Sequence, residues 1–141
     1  MPSGYPRNMY KTGVIAGAFP LIHPGYIQLL RECKGVCSYL IVFLQDDPSA
    51  ERPHKSPPFF SLKERQDILE SLRFVDEVIP YATEGDLERL LREVSPDVRF
   101  LGTEYKSLSF TGEDLSTPIH WINRDHGWST TLLLGKIRGS L

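Results

Sequence analysis

Cysteine is scarce in this sequence. Only Cys33 and Cys37 are present among 141 residues. Their CxxxC spacing lacks the second Cys or His pair that a zinc site requires. We therefore expect two reduced, partly buried thiols, and we assign no residue to a metal.

Long apolar runs are also absent. The first residues, MPSGYPRNMYK, contain no apolar run of signal-peptide length. No later stretch reaches the ~20 apolar residues that a membrane span needs. This pattern predicts a soluble, cytoplasmic protein with no membrane partner.

An excess of basic charge is missing as well. Lys and Arg together number 16 against 18 Asp and Glu, which gives a formal net charge of −2. The balance offers no electrostatic reason to expect an extended surface for nucleic acid or anionic membranes. A small anionic ligand is compatible with this composition, because it needs only a local basic cluster.

The length of the chain is that of one domain. Residues 1–12 are rich in Pro, Gly, Ser and Asn without periodicity, which predicts a flexible N-terminal arm. Residues 13–141 contain no internal repeat or low-complexity run. We interpret them as one domain with one core.

Five short apolar runs predict β-strands. They are GVIAGAF (13–19), YLIVFLQ (39–45), VDEVIP (75–80), DVRFLG (97–102) and IHWIN (119–123).

Helical signals lie between these runs. Pro24 begins one segment, over residues 24–34, and SLKE (61–64) has the pattern of a capping box. An apolar stripe with helical spacing comprises Leu87, Leu90, Leu91 and Val94. The alternation of strands and helices predicts a parallel sheet with helices on both faces. In such a sheet, ligands bind beyond the carboxyl ends of the strands.

The segment GAFPLIHPGY (17–26) lies between the first predicted strand and the first predicted helix. Its glycines allow the backbone to approach a ligand closely, and a helix N-terminus attracts phosphate. His23 and Tyr26 are three residues apart in the first helical turn, so both can reach one ligand. A capping or packing role is the alternative interpretation of His23.

Two further segments are expected at the same edge of the sheet. GTEY (102–105) follows the fourth predicted strand, and NRDHGWSTTLLLGKI (123–137) places hydroxyl groups at the start of a helix. Hydroxyls and free backbone N–H groups at a helix N-terminus form an anion site. Ordinary N-capping by Ser129 or Thr130 is compatible with that role.

The order of these motifs resembles the cytidylyltransferase-like nucleotidyltransferases. The shared features are a glycine turn with a variant of HxGH, a helix carrying ERxxILE, the phrase VDEVIP, a glycine turn with an acidic and an aromatic residue, and a final arginine before a variant of GISTT. The resemblance extends over residues 13–137 and includes glycerol-3-phosphate cytidylyltransferase and short phage-type relatives. It implies a Rossmann-like α/β domain whose five parallel strands have the order 3-2-1-4-5. It also implies a homodimer, with LQDDPSAERPHKSPP (44–58) near the partner.

The resemblance implies an activity too. Family members transfer a nucleotidyl group from a nucleoside triphosphate, usually CTP, to the phosphate of a small alcohol or sugar, and pyrophosphate is released. We therefore expect a cytidylyltransferase that uses CTP, or ATP, with Mg²⁺ bound to the triphosphate and a small phosphorylated acceptor. Glycerol 3-phosphate, a heptose phosphate and a head-group phosphate all stay open as acceptors.

Site residues follow from the same resemblance. The catalytic candidates are His23, Tyr26, Lys55 and Arg124, and Arg65 is assigned to the acceptor phosphate. The nucleotide-binding candidates are Gly17, Ala18, Phe19, Gly25, Gly102, Glu104, Tyr105, Trp128, Ser129, Thr130 and Thr131. The alternative for Lys55 is a solvated loop lysine, and for Arg65 an exposed helix arginine paired with an acid.

Two positions depart from the family pattern. Relatives usually have GTFD or GAFD where this chain has GAFP, ending at Pro20, and Tyr26 replaces the second histidine of HxGH. A phenol donates a hydrogen bond without carrying charge, which lowers the expected rate about ten- to thirtyfold. In a transferase the Tyr26 hydroxyl should face the triphosphate, whereas in a pure binding protein the ring can pack beside Leu29 or Leu30.

Two alternative functions follow. One is a nucleotide-binding relative with weakened or lost catalysis, which acts as a sensor or partner protein. The other is a flavodoxin-like response regulator, which is disfavoured because no acidic cluster ends the first predicted strand.

Overall fold

A computed structural model describes residues 9–123 and 127–140. In chain order its elements are β1 (Tyr10–Gly17), α1 (Pro24–Val36), β2 (Cys37–Gln45), α2 (Leu62–Glu70), β3 (Glu77–Tyr81), α3 (Glu84–Val94), β4 (Val98–Gly102), β5 (Ile119–Ile122) and α4 (Thr130–Ser140). Short 3-10 helices span Pro48–Ala50 and Thr103–Ser107. No helix in these described ranges is long and apolar enough to cross a membrane.

The five strands form one parallel sheet in the order β3-β2-β1-β4-β5. This confirms the predicted fold class and strand order. The direction of strand succession reverses between β1 and β4, and the loops that follow these two strands therefore border the crevice where such sheets bind ligands.

The first strand begins earlier than the sequence predicts. Tyr10 pairs with Cys37 and Thr12 with Tyr39 in β2, so residues 10–12 belong to the sheet and not to the predicted arm. The strand also ends earlier, at Gly17, because Phe19 has a left-handed φ of 46° that no strand can accommodate.

Local capping signals begin the helices at the predicted positions. Pro24 is the first residue of α1. In front of α2, the Ser61 hydroxyl accepts from the Glu64 amide at 3.1 Å, and the Glu64 carboxylate accepts from the Ser61 amide at 2.9 Å. The predicted capping box is therefore confirmed.

Apolar side chains fill both faces of the sheet. The α1 and α2 face buries Ile15, Leu29, Leu30, Leu44, Leu69 and Phe100. The α3 face buries Val14, Ile41, Phe43, Tyr81, Leu87 and Leu91, with Leu90 and Val94 partly buried beside them, which confirms the predicted stripe. Since α1 and α3 each follow a strand, their N-termini lie at the carboxyl edge of the sheet, on opposite sides of the crevice.

Candidate functional site

A cleft of about 1050 Å³ lies beyond the carboxyl ends of the strands. A second recess of about 780 Å³ adjoins it between α1 and α4. The residues that line both are Pro20, Tyr26, Leu29, Lys55, Ile122, Thr130 and Thr131. The predicted site segments therefore meet in one place.

His23 caps α1 and lines the recess. Its Nδ1 accepts a hydrogen bond from the Gly25 amide at 3.1 Å, so the proton of the neutral imidazole is on Nε2. The buried ring lies 4.3 Å from the ring of Tyr26 and stacks on Trp128 at 5.9 Å between centroids. The capping interpretation and the site interpretation of His23 are thus both consistent with its position.

Tyr26 joins α1 to α4. Its hydroxyl oxygen lies 3.4 Å from Thr130 Oγ1, and its ring packs against Phe19 at 5.0 Å between centroids. The hydroxyl therefore points to the N-terminus of α4, while the partly buried ring packs against the core cluster that contains Leu29 and Leu30. This is the orientation expected of a group that contacts a phosphate bound at that terminus.

The N-terminus of α4 supplies the hydroxyls. Ser129 Oγ accepts from the Leu132 amide at 3.0 Å, which confirms the predicted cap. Thr130 and Thr131 line the cleft and the recess, and Trp128 lines the recess. Free backbone N–H groups of the first helical turn and threonine hydroxyls therefore face the same space.

The turn after β1 holds its shape through a glycine and a strained phenylalanine. A Cβ at Gly17 would lie 3.3 Å from the Phe19 ring, so the absence of a side chain at Gly17 leaves space for that ring. Phe19 is buried at φ 46°, a conformation that costs about 1–3 kcal/mol in a bulky residue. Gly17, Ala18, Phe19 and Pro20 all line the cleft.

Lys55 lies in the loop that follows β2. It lines both the cleft and the recess, beside Pro20 and Tyr26. Gly25, at the start of α1, lines the recess. The structure thus places Lys55 and Gly25 among the lining residues, and Lys55 adds a cation to that lining.

The turn after β4 is only partly in the cleft. Gly102 and Tyr105 line it, and the Tyr105 ring meets Phe110 edge to face at 6.3 Å. Glu104 is exposed and folds back over Gly102, where an added Cβ would lie 2.2 Å from Glu104 Oε2. Glu104 does not line the cleft, so its position does not match the predicted contact with nucleotide.

Arg65 is placed differently from its predicted role. Its guanidinium donates to the backbone carbonyls of Phe60 at 2.9 Å, Ala18 at 2.7 Å, Gln45 at 2.6 Å and Asp46 at 2.5 Å. The side chain is 1% exposed and does not line the cleft. Arg65 therefore holds the turns after β1 and β2 together and does not reach an acceptor phosphate.

The cleft contains charged residues that the sequence analysis did not select. Arg99 of β4 is 5% exposed and lines the cleft together with Tyr81 and Glu84. Burial lowers the pKa of Arg99, while the nearby Tyr81 and Glu84 act in the opposite direction. In the sequence, Arg99 could have been found as a charged residue inside the apolar run DVRFLG. Glu84 could have been found because it follows the end of a strand at the ligand-binding edge of the sheet.

The structure does not test two predictions, which are the catalytic role of Arg124 and the absence of a metal-binding residue. Arg124 lies outside the described residues. Within residues 9–123 and 127–140, no group of three or more His, Cys, Asp or Glu side chains could hold a metal ion.

The chain matches a model of the cytidylyltransferase-like family over residues 14–129. The bifunctional protein HldE of Gluconacetobacter diazotrophicus is 33% identical over 136 residues, which are 92% of this chain and 28% of that protein. The bifunctional protein HldE of Wolinella succinogenes is 34% identical over 125 residues, which are 88% of this chain and 26% of that protein. The chain thus spans about a quarter of the length of these curated relatives.

Solved structures include related folds. The lipopolysaccharide core biosynthesis protein of Thermoplasma volcanium has a TM-score of 0.64 and 27% identity, with 81% of this chain and 95% of that chain covered. Pantothenate synthetase of Thermus thermophilus has a TM-score of 0.54 and 16% identity, with 86% of this chain and 57% of that chain covered. The second similarity is one of fold alone.

Proposed function

The chain belongs to the cytidylyltransferase-like family, and we propose that it transfers a nucleotidyl group from a nucleoside triphosphate to the phosphate of a sugar or polyol. One observation carries this proposal. Tyr26 of α1 touches Thr130 of α4, and His23 stacks on Trp128, so two helix N-termini with donor side chains face one space.

The chemistry needs positioning more than covalent participation. An oxygen of the acceptor phosphate attacks the α-phosphorus of the triphosphate. The bond from that phosphorus to the bridging oxygen breaks, and pyrophosphate leaves with the electron pair and without net proton transfer. The protein must hold two anions in line and stabilise charge on the leaving oxygens.

Each candidate group has a role in that step. The N–H at Nε2 of His23 and the Tyr26 hydroxyl donate to phosphate oxygens, and Lys55 neutralises the triphosphate. The amides at the start of α4 hold the phosphates by their positive partial charge. Mg²⁺ bound to the triphosphate would neutralise part of its charge.

The nucleotide and acceptor follow from the family and its relatives. CTP is the donor that the family description supports, with ATP as the alternative. The solved relative in lipopolysaccharide core biosynthesis supports a sugar phosphate, such as a heptose phosphate, over glycerol 3-phosphate or a head-group phosphate. A homodimer is also proposed, supported by the exposed apolar side chains Phe59, Leu132 and Ile137.

Pyrophosphate release tests the proposal. CTP and ATP are each incubated with Mg²⁺ and the three acceptor classes, and nucleotide binding is measured by calorimetry in parallel. Release that depends on both nucleotide and acceptor supports a transferase. Nucleotide binding without release from any pair supports the alternative of a binding protein without turnover. Light scattering that finds a monomer contradicts the proposed dimer.

A further inference from the structure

The α3 side of the cleft contains a group of lining residues that, apart from Tyr105, are not nucleotide-binding candidates. We name this part of the cleft the Arg99–Glu84 pocket, and its lining residues are Tyr81, Glu84, Arg99, Tyr105 and Phe110. It lies across the sheet edge from α1, because Tyr81 packs on the α3 face with Leu87 and Leu91. Its two oppositely charged side chains are those of Glu84 and Arg99. Both belong to the described residues, and they do not form a salt bridge with each other.

Glu84 has an unsatisfied oxygen. Its Oε2 is buried and, within the part of the chain that the structure describes, has no hydrogen-bond partner. A buried carboxylate oxygen without a donor is costly, so native proteins normally supply one from the chain, from water or from a ligand. Because Glu84 lines the cleft, a rotation of its carboxylate would bring Oε2 to a ligand that supplies that donor.

The Arg99 guanidinium carries N–H donors that a ligand can use. Its Nη1 donates to the Thr111 carbonyl, and its guanidinium lies over the Phe110 ring at 5.5 Å from the centroid. Among the described residues, Thr111 is its only hydrogen-bond acceptor, although a guanidinium carries five N–H donors. The guanidinium is thus buried and held in place, with capacity to bind a further acceptor atom.

The two charges together select the chemistry of the ligand. An ammonium group would be attracted by Glu84 and repelled by Arg99, and a phosphate the reverse, so the two charges offset each other for either ion. A hydroxyl group is neutral and is both a donor and an acceptor, so it can satisfy Glu84 and Arg99 at once. The pocket is therefore suited to a neutral, hydroxylated group.

We infer that the Arg99–Glu84 pocket binds the hydroxyl groups of the acceptor, with Glu84 accepting and Arg99 donating, so that the acceptor is a polyhydroxylated phosphate. The identification of this ligand as the acceptor rests on the proposed function. The inference gives Arg99 and Glu84 contact with the acceptor hydroxyls, whereas the resemblance implied contact of Arg65 with the acceptor phosphate.

Binding of mannose 1-phosphate to the full chain tests the inference by calorimetry. Glu84→Gln should weaken binding about tenfold to a hundredfold, because a hydrogen bond to a charged group is lost. Propyl phosphate, which has no hydroxyl group, should bind wild type and Glu84→Gln equally. Glu88→Gln is the matched control, since Glu88 lies on the same helix and pairs with Arg92 at 2.9 Å outside the cleft. Thermal unfolding checks that each variant is folded.

Monodeoxy analogues of mannose 1-phosphate identify the hydroxyl. For one analogue, Glu84→Gln should cause no further loss of affinity, because the partner of Glu84 is already absent. The inference is overturned if mannose 1-phosphate fails to bind wild type at millimolar concentration. Equal binding to wild type and Glu84→Gln, or an equal loss for propyl phosphate, overturns it as well.

The experiments distinguish a failure of the proposed function from a failure of this inference. A Glu84-dependent affinity for the sugar phosphate without any pyrophosphate release contradicts the transferase and leaves the hydroxyl pocket in place. Transfer to a phosphorylated acceptor whose KM is unchanged in Glu84→Gln supports the transferase and contradicts the hydroxyl pocket.

Discussion

Arg65 on α2 is 1% exposed and Arg99 on β4 is 5% exposed, yet their surroundings differ. Arg65 donates to four backbone carbonyls from the turns after β1 and β2 and from the start of α2. Among the described residues, the Arg99 side chain donates to one carbonyl, that of Thr111, and it lines the cleft. Burial lowers the pKa of both guanidinium groups.

The comparison distinguishes an arginine that supports the fold from an arginine that lines the cleft. A guanidinium whose donors are used by the backbone stabilises the turns around it and is unavailable to a ligand. A guanidinium that is buried with few partners keeps its capacity for a ligand and contributes less to stability. Burial alone therefore does not distinguish the two roles, and the number of hydrogen-bond partners does.

The largest expected effect is on stability at Arg65. Arg65→Lys should lower the free energy of unfolding by about 3 kcal/mol, because an ammonium cannot reproduce the fork that reaches four carbonyls. Arg99→Lys is the matched variant and should lower it by less than about 1 kcal/mol. Urea unfolding measures both. Equal losses would show that the comparison of the two arginines is wrong.

His23 caps α1, and we propose that it also contacts the triphosphate, so substitutions of His23 should separate the two roles. Asn caps helices well, so His23→Asn should keep the hydrogen bond to Gly25. It loses the ring contacts with Tyr26 and Trp128, which should lower the unfolding free energy by about 1 kcal/mol. It removes the donor at Nε2, which should lower kcat about a hundredfold. His23→Ala should lose the cap as well, at about 1 kcal/mol.

Pyrophosphate release and urea unfolding on the same preparations measure these changes. An unchanged kcat in His23→Asn would mean that the imidazole is a helix cap and nothing more.

Tyr26 tests whether the altered motif is still a site group. Tyr26→His should raise kcat with CTP about tenfold with little change in nucleotide affinity, because the added charge acts mainly on the transition state. Tyr26→Phe should lower kcat, since the hydroxyl near Thr130 is removed. Tyr39→Phe is the control, because Tyr39 pairs with Glu77 at 2.9 Å away from the cleft.

If the turn has moved with Pro20, only Tyr26→His combined with Pro20→Asp should restore the rate. A folded double variant that binds CTP and Mg²⁺ and releases no pyrophosphate with any acceptor contradicts the transferase.

Cys37 is a buried polar group without charge and should give the smallest effect. Burial raises the pKa of its thiol from 9.0 to about 11, so the folded state retains a proton that the unfolded state releases. Stability from this group is therefore full below pH 9 and falls as pH rises toward 11, by about 1 kcal/mol between pH 9 and pH 10. Urea unfolding at several pH values measures the loss, and Cys37→Ala should reduce it. An identical pH dependence in both proteins contradicts the shifted pKa.

Local signals predicted the elements well. Pro24 at the start of α1, the capping box of Ser61 and Glu64, and the stripe around Leu87 and Leu91 each depend on residues within a few positions of one another. The predicted ends of β1 were less accurate. Tyr10 belongs to the strand because it pairs with β2, and the strand ends before Phe19 because Phe19 has a positive φ.

Several predicted site residues come from motifs that carry their own local geometry, and the structure places them at the cleft. His23, Tyr26, Lys55, Thr130 and Thr131 all reach the cleft or the recess, although their roles in transfer stay predictions. Site prediction did not succeed for Arg65, because its acceptors lie in segments up to 47 residues away. It did not find Glu84 either, because an acidic residue in a first helical turn is common on any helix surface.

By itself, the sequence determined the alternation of strands and helices, the helix starts and the motif order that resembles the family. Periodicity, caps and turns are set by neighbouring residues, so they can be read without knowing the fold. Only the tertiary structure decided which arginine supports the turns and which faces the cleft, and that Tyr26 meets Thr130. Those contacts join residues distant in the chain, and the free energy of burying a charge depends on partners that only the folded chain brings together.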